Sequence, residues 1–194
     1  MIHRTLTQRG IDMDGKTFAT VRRIYQMIDQ ANDEMLQVWQ NEIVFTWRWW
    51  LEIALSIIPW VLWFFYRKRE STGRLLCTGF LVVIISSWFD FLGTTIGLWY
   101  YPVKLIPTVP SYIVYDFTLM PVIVMSLLQV RPEINAFVKG CLFAGVTAFV
   151  GEPVFEWLHF YNPVHWKHIY SFPIYLAIYL IANYVSHIKS YMDL

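Results

Sequence analysis

Five long runs of apolar residues, separated by short polar stretches, dominate the chain after residue 46. With its aromatic flanks, each run approaches the roughly 20 residues that a helix needs to cross the hydrocarbon core of a bilayer. Charged or proline-rich turns bound the runs, and proline stops both helix and sheet. The pattern therefore predicts an all-α fold: a polytopic membrane helix bundle of about five transmembrane helices in a single domain, residues 47–194. The predicted spans cover residues 51–66, 75–101, 111–130, 134–159 and 169–188.

Residues 1–46 carry a different pattern. The first 15 residues are polar, and residues 16–45 then place apolar side chains at spacings of three, four and seven. This periodicity predicts an N-terminal amphipathic helix. The helix either lies in the membrane interface or packs on protein. In the second case it covers a partner protein, a second copy of the chain or the other helices of the bundle. The apolar stripe consists of Phe18, Val21, Tyr25, Ile28, Met35 and Trp39.

Composition agrees with a membrane protein. Hydrophobic residues make up 57% of the chain and charged residues 15%, against about 25% charged residues in soluble domains. The lipid bilayer is therefore the predicted environment. A net charge of +1, with no basic patch beyond one short loop, gives no reason to expect nucleic acid as a partner. The first ten residues lack the apolar core of a signal peptide, so we expect the internal spans to drive insertion.

Orientation follows from the positive charges near the spans, because Lys and Arg gather on the cytoplasmic side. We expect the C-terminus inside and the N-terminal helix outside, in a multi-pass protein of the bacterial cell membrane. The positive residues of the predicted inner side are Arg67, Lys68, Arg69, Arg74, Arg131, Lys139 and Lys189.

Three carboxylates fall in the same half of the predicted bundle. Counted from the predicted span ends, Asp90 lies roughly 15 Å deep, Asp116 roughly 8 Å and Glu152 roughly 10 Å. Glu156 and His159 follow Glu152 at helical spacings of four and seven, so we expect all three on one face. An acid inside a membrane is costly and usually faces a protein interior or a wet cavity.

These acids have two interpretations. In the first, they form a pocket in which Asp90 and Asp116 are candidate catalytic residues, and Glu152, Glu156, His159 and Tyr115 line the wall. In the second, each acid only fixes helix packing through nearby hydroxyl groups, which belong to Tyr112, Tyr115, Ser86, Ser87 and Thr94.

Other short patterns carry less chemistry. Gly93 and Gly97 have the G-x-x-x-G spacing that lets helices approach closely. Glu156 and His159 have the spacing of a di-iron bundle ligand pair, but such sites use two copies and the chain has one. We therefore predict no metal. We also predict no cofactor, since there is no Gly-rich phosphate loop.

The end of the second span and the start of the third carry two resemblances. The first is to a family of small uncharacterised polytopic membrane proteins of Gram-positive spore-forming bacteria. It covers roughly residues 75–185 and implies no particular activity. The matching residues are Trp99-Tyr100-Tyr101-Pro102-Val103-Lys104-Leu105-Ile106-Pro107, Tyr115-Asp116 and Pro121.

The second resemblance is to the lycopene cyclase domain. That domain places an Asp in one span, a Trp-x-aromatic element at its end, and a proline-flanked acidic motif at the start of the next span. Asp90, the element 99–101 and Asp116 follow this layout, whereas the paired glutamates after proline are absent and Ser111 follows Pro110. This resemblance implies general acid chemistry on a polyene.

Three functions remain open. The leading hypothesis is an accessory or assembly subunit without catalysis of its own, whose N-terminal helix contacts a partner or a second copy. The first alternative is a membrane-embedded isoprenoid or lipid enzyme that uses Asp90 and Asp116 as acid and base, which requires an apolar tunnel reaching them. The second alternative is a small proton-coupled transporter.

Overall fold

The computed structural model describes residues 15–188. The polar first residues and Lys189 lie outside this range. The described chain forms seven α-helices and two short strands. These are α1 Gly15–Val38, α2 Trp47–Tyr66, α3 Thr72–Thr95, β1 Trp99–Tyr100, α4 Met120–Gln129, α5 Ala136–Val146, α6 Glu152–Trp157, β2 Asn162–Pro163 and α7 His168–Ser186.

The all-α fold is confirmed, and four helical segments are long and apolar enough to cross a membrane. They cover Trp47–Tyr66, Arg69–Thr95, Ala136–Trp157 and His168–Ser186. The third predicted span is shorter than expected: its helix covers Val114–Gln129. At roughly 1.5 Å per residue it rises about 24 Å, which is less than the roughly 30 Å of a hydrocarbon core.

The bundle packs around a core contributed by α3, α4, α5 and α7. α5 lies along α7, and α3 contacts both α4 and α7. Large apolar side chains on the outer faces of these helices stay exposed, as a lipid-facing surface requires. The buried core residues include Val82, Met120, Val124, Met125, Phe143, Ile178, Tyr179 and Ala182.

Two predicted span ends are wrong. The second span does not continue to Tyr101, because α3 ends at Thr95 and Gly97 turns the chain with a φ of 75°. The residues that follow form β1, which pairs antiparallel with β2. The apolar and aromatic residues after Gly97 predict a longer span, but in the structure they fold back onto the bundle.

The fourth span ends at Trp157 instead of His159. His159 has a φ of 64°, a left-handed conformation that no helix continues. Its backbone N–H closes the last turn on the Glu156 carbonyl at 3.0 Å.

Short π-helical segments precede two helices that begin with proline. Val114–Leu119 leads into α4, which has Pro121 in its first turn, and Thr147–Gly151 leads into α6, which has Pro153 there. Proline cannot donate the helical hydrogen bond, and a π-bulge is a common way of absorbing such a break, frequently at a functional site.

The N-terminal amphipathic helix is confirmed as α1, and none of its residues is buried. Trp39 follows α1 directly, and its indole N–H donates to the Lys104 carbonyl at 2.8 Å. This hydrogen bond connects the end of α1 to the loop after β1. Among residues 15–188, no segment covers the apolar side chains of α1, which remain exposed.

Candidate functional site

A cavity of about 300 Å³ lies between α3, the π-helical segment before α4, α6 and α7. Its walls are mostly apolar and aromatic. Phe89, Leu92 and Ile96 belong to its lining and are also exposed on the outer face of α3. The cavity therefore opens sideways, on the apolar outer surface of the bundle. Its other lining residues include Trp99, Tyr101, Tyr112, Phe155, Tyr161, Trp166, Ile174, Tyr175 and Ile178.

Asp90 lies in the wall of this cavity and accepts three hydrogen bonds. The Trp99 indole N–H donates to Oδ1 at 2.8 Å, and the Tyr101 hydroxyl donates to the same oxygen. The Tyr112 backbone N–H donates to Oδ2 at 2.6 Å. Asp90 is only 5% exposed, so three donors replace the water that a carboxylate loses on burial.

Glycines allow Trp99 to reach Asp90. Gly97 reverses the chain after α3, and the Trp99 ring then lies against Gly93, where a Cβ would be 2.1 Å from two ring carbons. The G-x-x-x-G spacing thus serves a different purpose from the predicted one. It does not bring two helices together, since one glycine makes a turn and the other receives an indole ring.

Asp116 lies beside Asp90, on the π-helical segment before α4, and is 3% exposed. Its carboxyl group and that of Asp90 both belong to the cavity lining. No donor among residues 15–188 reaches its buried Oδ2. Two neighbouring buried carboxyl groups repel each other unless one of them carries a proton. Since the three donors all point at Asp90, we infer that Asp116 carries that proton.

Glu52 is a further buried acid, which is not among the predicted site residues. It is fully buried in α2, and its Oε1 accepts a hydrogen bond from the Tyr112 hydroxyl at 2.9 Å. Tyr112 therefore contacts Glu52 with its side chain and Asp90 with its backbone. The alternation of spans could have revealed this, because the start of the first span lies on the same side as the end of the second.

Glu152 belongs to a second polar cluster on the α6 and α7 side of the cavity. Its Oε1 accepts from the Tyr175 hydroxyl at 2.6 Å, and its Oε2 lies 2.7 Å from Nδ1 of His168. Nε2 of His168 lies 3.0 Å from Oε2 of Glu156. His168 is thus held between two carboxyl groups.

The structure brings four of the six predicted site residues to the cavity: Asp90, Asp116, Glu152 and Tyr115. Glu156 does not line it, and lies at the rim against His168. His159 is exposed and turned away, because α6 ends two residues earlier. His168, from the start of α7, is the histidine that lies beside Glu152 and Glu156, where His159 was expected. The helical spacing could not predict this exchange, because the spacing holds only as far as the helix continues.

The tyrosines in the loops around the cavity are neutral hydrogen-bond donors. Burial raises the pKa of Tyr101 well above its usual value, and the nearby Asp90 and Asp116 carboxyl groups raise it further. Burial, followed by the charge of Glu152, also raises the pKa of Tyr161. Both hydroxyl groups therefore keep their protons at neutral pH.

Lys104 lies in the loop after β1. Burial lowers its pKa, and the Asp90, Glu52 and Asp116 carboxyl groups partly oppose this effect. Its Nζ donates to the carbonyls of Val109 and Pro110 at 2.8 and 3.1 Å. Lys104 thus closes the proline-rich loop instead of pairing with an acid of the cavity.

Metal ligands do not cluster in the described part of the chain: between residues 15 and 188, no group of three or more His, Cys, Asp and Glu side chains could hold an ion.

The fold and the site together define a polytopic helical membrane protein with a carboxyl cluster beside an apolar cavity. The chain matches no protein-family model, no curated protein and no solved structure. The two resemblances therefore remain interpretations of the sequence.

Proposed function

We propose that this protein is a membrane-embedded enzyme that binds an apolar isoprenoid or lipid chain and uses Asp116 and Asp90 as acid and base. One observation carries the proposal: two buried carboxyl groups, those of Asp90 and Asp116, lie in the wall of one apolar cavity that opens on the apolar outer surface of the bundle. The sequence hypothesis of an isoprenoid or lipid enzyme required such a cavity. We place the enzyme in the bacterial cell membrane, in line with the first resemblance.

The shape of the cavity favours a long apolar molecule. At about 300 Å³, it is at the small end of ligand sites and would hold only one end of a polyprenyl or acyl chain. The exposed lining residues Phe89, Leu92 and Ile96 would let the rest of the chain stay in the bilayer. A molecule dissolved in the membrane could then enter without passing through water.

The carboxyl pair supports proton transfer to carbon. Asp116 would give its proton to a carbon–carbon double bond, which leaves a carbocation on the substrate. Asp90 would then take a proton from a neighbouring carbon, which restores a double bond, and that proton would return to Asp116 within the pair. The net change is an isomerisation or cyclisation without an oxidant. Asp90, fixed by three donors, would supply the negative charge that stabilises the cation.

The aromatic walls fit the same chemistry. Cations are attracted to the faces of Trp and Tyr rings, and Trp99, Tyr101, Tyr112, Tyr115 and Tyr161 all line the cavity. Aromatic rings stabilise a carbocation without acting as nucleophiles that would trap it. An aliphatic wall would stabilise the cation less, and water in the pocket would react with it.

Deuterium transfer tests this proposal. The full chain is placed in nanodiscs that contain squalene or a polyprenol as the probe, and the buffer is exchanged for D₂O. We expect carbon-bound deuterium in a probe with the parent protein and with Asp29→Asn, an exposed control on α1. We expect its loss in Asp116→Asn. Isoprenoid lipids extracted from the expression host serve as further probes. The proposal would be contradicted if no probe gained carbon-bound deuterium, or if Asp116→Asn gave as much as the parent.

The uncovered stripe of α1 favours a second candidate, the accessory or assembly subunit of the leading sequence hypothesis. Its exposed side chains include Phe18, Tyr25, Ile28 and Met35, which a partner or a second copy would cover. Analytical ultracentrifugation in two detergents would test this. A monomer in both detergents, with no copurified protein, would count against it.

The transporter alternative has weaker support. Among the described residues, the buried acids are Glu52, Asp90, Asp116 and Glu152, and all four lie in the same half of the bundle. A proton path through both halves would need acids in the other half too, and none of the described residues there is a buried acid.

A further inference from the structure

A continuous series of hydrogen-bonding side chains leads from the surface to the cavity. Glu156 is 49% exposed at the side chain, His168 is 26% exposed and Glu152 only 8%. The successive contacts measure 3.0 Å from Glu156 to His168, 2.7 Å from His168 to Glu152, and 2.6 Å from Glu152 to the Tyr175 hydroxyl. Each member of the series can both give and take a proton.

The inner end of this series reaches the cavity. Glu152 and Tyr175 line it, as do Tyr115 and Asp116 on the facing segment. The Tyr175 and Tyr115 rings are 6.1 Å apart between centroids, and the buried Tyr115 hydroxyl has no hydrogen-bond partner among residues 15–188. A proton at Tyr175 is therefore beside the space that Asp116 also faces.

We propose that Glu156, His168, Glu152 and Tyr175 form a proton relay between the cavity and the aqueous side of the membrane. The inference rests on the proposed function for its purpose: with an apolar chain in the cavity, the carboxyl pair would exchange its proton with water through the relay, as deuterium transfer from D₂O requires. In this relay His168 is a positioning and transfer residue, not a group that touches the substrate.

The surroundings of His168 suit a relay better than a structural ion pair. The groups that face its ring are Glu152 and Glu156 from α6 and the ring of Tyr161, whose centroid is 6.4 Å away. Each ring nitrogen thus faces one carboxyl group. The imidazole can pick up a proton at one nitrogen while it releases another at the other nitrogen. Each group of the series releases one proton as it accepts another, so the net result is the transfer of one proton from one end of the series to the other.

His159 provides a matched control. It lies close to the relay in sequence, but it is exposed, and its side chain makes no hydrogen bond or ion pair with the rest of residues 15–188. Replacing His159 changes the same chemical group near the same membrane surface without interrupting the series.

Infrared spectroscopy of the full chain in lipid nanodiscs tests the relay without any substrate. After rapid mixing with D₂O, the C=O stretching band of a protonated carboxyl group shifts as its proton is exchanged. The band of the cavity pair is the one that disappears in Asp116→Asn. We expect His168→Phe and Glu156→Gln to slow the exchange of this band by about tenfold or more, and His159→Phe to leave it unchanged.

An unchanged exchange rate in both His168→Phe and Glu156→Gln would overturn the relay, as would equal slowing by His159→Phe or the absence of a band that depends on Asp116. Glu156→Gln keeps the test valid if His168→Phe folds poorly, because Glu156 lies at the rim. The two proposals fail separately. Relay kinetics without carbon-bound deuterium would contradict the enzyme alone, whereas deuterium transfer with His168-independent exchange would contradict the relay alone.

Discussion

The two aspartates of the cavity differ in the hydrogen bonds that their side chains receive. Asp90 accepts from Trp99, Tyr101 and the Tyr112 backbone, whereas the buried Oδ2 of Asp116 receives none within the described residues. The structural and the functional interpretations of these acids are therefore not exclusive. Asp90 fixes the fold around the site, and Asp116 is the group that remains free to react.

This difference predicts opposite effects of the same substitution. Asp90→Asn points an NH₂ group at donors that need an acceptor, and we expect a loss of about 2–4 kcal/mol in the free energy of unfolding. Asp116→Asn replaces a shared proton by an amide that can donate to Asp90, so we expect no loss or a small gain. Thermal unfolding in detergent measures both. Equal destabilisation by the two substitutions would contradict the division of roles.

At the scale of elements, the turn after α3 forms the site. Gly97 reverses the chain, Gly93 makes room for the Trp99 ring, and the pairing of β1 with β2 holds the returning segment. The Asp90 carboxylate acquires two of its three donors from this segment. The geometry of the carboxyl pair thus depends on a turn outside the spans.

Gly93→Ala tests this turn. A Cβ at Gly93 would lie 2.1 Å from Trp99 ring carbons, so the ring must move and we expect a loss of about 1–3 kcal/mol. Gly73→Ala is the matched control on α3, since a Cβ there meets nothing within 4 Å. We expect it to be neutral or to stabilise the helix slightly. Denaturation of the two variants gives the comparison, and equal stability would show that Trp99 does not need the space.

At the scale of the whole molecule, the periodicity of apolar residues was enough to predict the fold class, because helix and bilayer dimensions limit what such runs can form. The short helix 114–129 departs from that expectation. Its first residues, Val114–Leu119, form a π-helical segment just before Pro121. Hydropathy alone does not reveal where a helix changes from π-helical to α-helical geometry.

The site was predictable only where it depended on chain topology. Alternating spans placed Asp90, Asp116 and Glu152 in one half of the bundle, and the structure brings them to one cavity. His168 and the donors of Asp90 were missed, because they depend on where helices end and on contacts between loops distant in sequence. Local periodicity contains no information about these contacts.

The most direct test of the central claim, that the cavity binds an apolar molecule, is to identify by mass spectrometry what copurifies with the protein. Ile174→Trp fills the cavity, and Ile181→Trp adds the same ring to the exposed face of α7. We predict that one class of apolar molecule is extracted from the parent and from Ile181→Trp, and is depleted in Ile174→Trp. Identical lipid content in all three proteins, with Ile174→Trp still folded, would contradict this account of the cavity.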